Sequence, residues 1–111
     1  MSFPALAPAI AAYIAATNTG DTSAIAQCFA DDANVFDEGE HQVGPEAIAR
    51  WVEDTGRRYQ PRVEVINVQH RTGKVLVSNR VSGNFPGSPL ELRYTFRLNA
   101  QGKISRLDIS L

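Results

Sequence analysis

Two periodicities divide the chain. Over the first half, apolar residues recur at helical spacing. Leu6, Ile10, Tyr13, Ile14 and Thr17 fall at i, i+4, i+7, i+8 and i+11, which puts them on one face of a helix whose flanks are filled with alanine. Asn18 and Gly20 are the expected stop. Asp21 then suits the N-cap of a short second helix in which Ile25, Cys28 and Phe29 share a face, and the "ADD" that follows reads as an exposed turn. Residues 33–43 have the pattern of a hairpin turning near Gly39. Gly44, Pro45 and Glu46 open a third helix, with proline at its first position and a carboxylate at the positive end of its dipole. Ile48, Trp51, Val52 and Thr55 form its buried face, and Gly56 with Arg57 and Arg58 is its expected terminator.

From Arg62 the period changes to two. Four segments read as strands, "RVEVINVQHR", "KVLVSNRVSGNF", "LELRYTFRLN" and "KISRLDISL", joined by "TG", "PGSP" and "NAQG". In the third, Leu90, Leu92, Tyr94, Phe96 and Leu98 alternate with Glu91, Arg93, Thr95 and Arg97. In the fourth, Leu107, Ile109 and Leu111 oppose Arg106, Asp108 and Ser110. One face of each strand therefore meets the helices. The fold class expected is α+β: a cone-like, curved antiparallel sheet wrapped around three helices from the N-terminal half. Such a sheet encloses a pocket wherever its concave side is incompletely filled.

Composition narrows the chemistry. At 111 residues the chain is expected to form one domain, 1–111, with a core that needs no metal or disulfide. Eleven basic residues against twelve acidic ones leave no concentrated positive field, so neither nucleic acid nor an anionic membrane is an expected partner. The single cysteine, Cys28, lies on an apolar face and reads as a core filler. "ALAPAIAAYIAA" has no preceding basic stretch and contains Pro8, which argues against a leader or a membrane span. A cytoplasmic protein is the expectation.

Few residues stand out as chemistry. A strand pattern ends on the carboxylate of Asp37, and Asn79 is the one polar residue on the strand face of Val75, Val77 and Val81. His41 and His70 lie in or near turns, and no H-x-x-x-H or cysteine pair is present, so no metal and no cofactor is expected. No G-x-S-x-G elbow supports a serine nucleophile.

"YIAATNTGDTSAIAQCFADDANVFD", "GPEAIARW" and "TFRLNAQGKISRL" together resemble the nuclear transport factor 2-like superfamily, in its SnoaL-like and ketosteroid isomerase-like branches. The likeness runs from about Ile10 to the C-terminus. It implies the cystatin-like roll already described, and a homodimer through the convex sheet face. It also implies that Asp37 holds the place of the general base of ketosteroid isomerases, and that Tyr13 holds the place of their phenol oxyanion donor; that enzyme is a worked example of tuned acidities. The family's second oxyanion donor, an aspartic acid, is replaced here by Tyr94, and the supporting tyrosine of the third helix by Val52. Trp51, Asn79, Phe96 and Ile109 are expected to line the pocket. The function implied is proton transfer next to the carbonyl of a small apolar compound. The alternative is a non-catalytic domain of the same fold that binds an apolar ligand or a partner protein.

Overall fold

The structure, a computed structural model, describes residues 6–111. Helix α1 (Pro8–Thr19) starts with proline in its first turn and stops at Gly20, whose φ of 79° lets its N–H turn back to the Ala16 carbonyl. Asn18 therefore sits within the helix rather than ending it. Its carboxamide clasps the backbone of Val63, donating to the carbonyl at 2.9 Å and accepting from the N–H at 2.6 Å. Helix α2 (Ile25–Cys28) is a single turn with no side-chain cap. Asp21 is not its N-cap: its Oδ1 accepts from the backbone N–H and hydroxyl of Ser23, closing a local turn ahead of the helix.

The "ADD" segment is no turn either. Phe29–Asp37 form one strand, β1, with Asp31 and Asp32 exposed. Its pairing with the last strand shifts between Phe29 and Asn34, and this irregularity lets two aspartates interrupt the apolar pattern without breaking the strand. Strand β2 (Glu40–Val43) folds back on β1 across a two-residue turn in which Glu38 and Gly39 both have positive φ, 53° and 78°.

Helix α3 (Pro45–Tyr59) runs through Gly56 to a left-handed Gln60. Glycine did not end it because its last turn is held by exposed pairs of Arg57 with Glu53 and Arg58 with Asp54. Pro61 then supplies the stop, since the residue before a proline is disfavoured in helical geometry.

Strands β3 (Arg62–Arg71), β4 (Lys74–Ser82), β5 (Leu90–Leu98) and β6 (Ile104–Ser110) follow in antiparallel succession. The six-stranded sheet has the order β2-β1-β6-β5-β4-β3, with β1 and β6 parallel and every other neighbouring pair antiparallel. Ile10, Ile25, Phe29, Ile48, Phe96 and Leu107 are almost wholly enclosed between helices and sheet. Leu111, expected on that inward face, lies past the end of β6 and is 86% exposed, at the rim of the cavity rather than in the core.

Candidate active site

β1 ends on a carboxylate because Asp37 is the last residue before the chain reverses at Glu38 and Gly39. Val35 faces Leu107 in the parallel pairing with β6 and both are buried, so alternation returns Asp37 to the same inward side. There it meets a cavity of about 1020 Å³ between α1, α3 and the sheet, whose walls include Tyr13, Trp51, Val52, Leu92, Tyr94 and Ile109. That volume suits a small organic molecule of several rings. Polar side chains, among them Asn18, Glu53, Arg57 and Arg62, also contribute to the lining.

Tyr13 projects inward from α1 and Tyr94 from β5, and both are buried. Their ring centroids lie 6.5 Å apart with the planes tilted by 49°. Phe29 and Phe96 hold Tyr13 edge-on, at 5.7 and 6.1 Å, arrangements favoured by the aromatic quadrupole. Both tyrosines border the cavity, and neither hydroxyl is sealed off without a partner.

Electrostatics separate the three groups by protonation state. Burial, followed by the neighbouring Glu38 charge, lifts the Asp37 carboxyl from 3.8 to about 6, partly offset by a hydrogen bond from the Glu38 backbone. Burial also pushes the Tyr94 hydroxyl well up, and the Asp37 charge adds to it. For Tyr13 the same rise comes from burial, then from Tyr94 and Asp37, and is eased by the Thr17 hydroxyl. Near neutral pH the carboxyl is thus ionised but strongly basic for its kind, while both phenols keep their protons and can donate.

Of the remaining residues expected at the pocket, Trp51 and Ile109 are in its wall, whereas Phe96 and Asn79 are not. Phe96 is fully enclosed and stacks behind both tyrosines, so it supports the wall from the core side. Asn79 faces inward but is sealed by its neighbours, and both its amide atoms lack a hydrogen-bond partner among the described residues.

A further part of the cavity wall was not foreseen from the pattern. Tyr59 at the end of α3 and Phe85 in the β4–β5 loop pack edge to face at 6.1 Å, and both line the cavity. The Asn84 N–H donates to the Tyr59 carbonyl at 2.7 Å, pinning the loop to the helix end. An aromatic amid the turn residues of "SGNFPGSP" was the available signal. Elsewhere, His41 Nδ1 lies 2.8 Å from Asn34 Oδ1, and burial raises the Cys28 thiol, leaving it a poor nucleophile. Among the described residues no three metal-ligating side chains converge, and no helix is long and apolar enough to cross a membrane.

A bent six-stranded sheet packed against three helices places the chain in the nuclear transport factor 2-like class. Residues 10–107 match the SnoaL-like domain, and the chain belongs to that family. It is similar over 95% of both chains, with 37% identity and a TM-score of 0.89, to a "putative polyketide cyclase" from Sinorhizobium meliloti. More distant structures share the fold. A hypothetical protein with a ketosteroid isomerase-like fold from Catenulispora acidiphila, in complex with trimethylamine, matches at 19% identity and a TM-score of 0.82, over 99% of this chain and 87% of the other. An LEH-like epoxide hydrolase from M. tuberculosis matches at 15% identity and a TM-score of 0.76, over 93% and 79%. No curated protein matches the chain.

Proposed function

We propose that this protein binds a small apolar carbonyl compound and moves a proton at the carbon next to its carbonyl. One observation carries the reading: the raised Asp37 carboxyl shares a cavity with two phenols whose acidities its own charge suppresses. In this scheme the ionised carboxylate takes the α-proton, and the C–H electron pair moves through the new carbon–carbon double bond onto the carbonyl oxygen. Tyr13 and Tyr94 stabilise that oxygen by hydrogen bonding, in place of the phenol and acid of ketosteroid isomerases. Asp37 then returns its proton to carbon, at the same position or at the far end of the conjugated enolate.

The likeness to the Sinorhizobium meliloti protein favours a second outcome for the same enolate. If the substrate carries another carbonyl within reach, the enolate carbon attacks it and closes a ring, and the proton held by Asp37 passes to the new alkoxide. Both outcomes begin with one deprotonation, so one experiment tests them. 2-Tetralone, an apolar enolisable ketone, incubated in deuterated water should exchange its α-protons faster with the protein than with buffer, and Asp37→Asn should remove the acceleration. Exchange at the buffer rate with the wild-type protein, despite binding, would leave the domain a ligand carrier.

A further inference from the structure

We propose that Asn79 is a second recognition point of the cavity, and that it hydrogen-bonds an oxygen function the ligand carries away from its reacting carbonyl. This rests on the ligand class proposed above and adds to it a second polar group, a hydroxyl or a further carbonyl.

Asn79 is the only polar side chain among the described residues that is fully enclosed, at 0% exposure, and neither its amide nitrogen nor its oxygen has a partner. Every other inward residue of its strand, Val75, Val77 and Val81, is aliphatic. Asparagine there is doubly unfavourable in the ligand-free fold. It is a poor strand former, and it gives up its hydrogen bonds to water for nothing in return. A fourth valine would satisfy the pattern, so the site points to a partner that this chain does not itself provide.

The surroundings say where that partner comes from. Asn79 is paired with Leu92 on β5 and lies diagonal to Tyr94, whose own partner is Val77. Leu92, Tyr94 and Val81 all belong to the cavity wall. Asn79 therefore shares a sheet face with the lining residues, its Cα about 7–8 Å from that of Tyr94. On its other side, β3 carries an extra residue at Ile66, between the pairings Val65–Asn79 and Asn67–Ser78. Bulges of this kind twist a strand locally and are common beside functional sites. In this proposal, ligand binding displaces the side chains that now enclose the amide, so that it reaches the hollow. Because a carboxamide both donates and accepts, its complement is a hydroxyl or carbonyl oxygen rather than a cation or a purely apolar end.

The test has two arms. Asn79→Val should raise the melting temperature of the ligand-free protein by about 4 °C or more, because an unpaired buried amide is removed. An unchanged or lowered value would show that the amide is already satisfied, for instance by an enclosed water, and would overturn the proposal. In the second arm, titration calorimetry compares 2-tetralone with its 5-, 6-, 7- and 8-hydroxy derivatives. At least one hydroxyl should tighten binding to the wild type by about five- to tenfold, and Asn79→Val should reduce that preference to about twofold or less, with Asn79→Ser keeping part of it. No preference at any ring position, or one that survives in Asn79→Val, would overturn it. α-Proton exchange of 2-tetralone with the wild-type protein, followed alongside, separates the two claims: its absence sinks the proton-transfer reading and leaves the affinity ratios standing.

Discussion

The Tyr13 and Tyr94 rings, one from the first helix and the other from the fifth strand, lie 6.5 Å apart beside Asp37. In the proposed reaction these two phenols divide the stabilisation of one oxyanion. Tyr94→Phe and Tyr13→Phe should each lower kcat for α-proton exchange about 10²–10³-fold, the usual cost of one oxyanion donor. The rings and their edge-on packing remain, so melting temperatures should shift little. A loss of less than threefold in both variants would remove the phenols from the mechanism.

Asp37→Asn should lower exchange by about 10²–10⁴-fold while binding of 2-tetralone persists, since only basicity is withdrawn. The same variant should be more stable than the wild type at pH 7–8. A carboxyl raised from 3.8 to about 6 by folding is held better in its protonated form by the folded chain. Its contribution to stability is therefore favourable below pH 4, declines as pH rises from about 4 to about 6, and stays at its least favourable above that. The stability advantage of Asp37→Asn should accordingly shrink on acidification to pH 4, as thermal melts across this range would show.

Activity should follow the same ionisation in the opposite sense. kcat/KM for exchange should rise tenfold per pH unit below about 6 and level off above it, because the base works only when ionised. No falling limb should intrude at mildly alkaline pH, as burial keeps both phenols protonated beyond their ordinary range. A pH–rate profile with its rising limb near 4 would show that Asp37 is solvated in the working protein.

Asn18 ties the end of α1 to the edge strand β3 through two hydrogen bonds with Val63. Asn18→Ala leaves a half-buried backbone N–H and carbonyl without partners and should cost about 1–3 kcal/mol. Chemical denaturation with an unchanged m-value would report it.

Gly83 holds the β4–β5 loop against the end of α3. A Cβ there would stand 2.5 Å from the Tyr59 carbonyl oxygen, so Gly83→Ala must push the loop away and break the hydrogen bond from Asn84. A loss of about 1–3 kcal/mol is expected, with weaker binding of ligands long enough to touch Phe85. Unaltered stability would mean that the loop yields freely.

Local chemistry made most of the fold legible before any coordinates. The helical spacing around Ile10 and Tyr13, the proline of Pro45 and the alternation from Leu90 to Leu98 each express a preference contained in a few neighbouring residues. The two-residue period put Asn79 on one face with Val75, Val77 and Val81, but only the packing decided that this face is the inward one. Where local signals competed, the outcome lay outside the window. Gly56 stayed helical because ion pairs and the following Pro61 moved the stop to Gln60, and the two aspartates of β1 stayed in a strand because a pairing irregularity with β6 absorbed them. The candidate site required more. Asp37, Tyr13 and Tyr94 could be singled out by type and by resemblance, but the raised carboxyl, the size of the hollow and the Tyr59–Phe85 wall of the cavity arise from burial and from contacts between distant segments. A residue's pattern says which side of an element it occupies. What it meets there depends on how the elements close over one another, and for Asn79 that closure left a sealed amide with no partner.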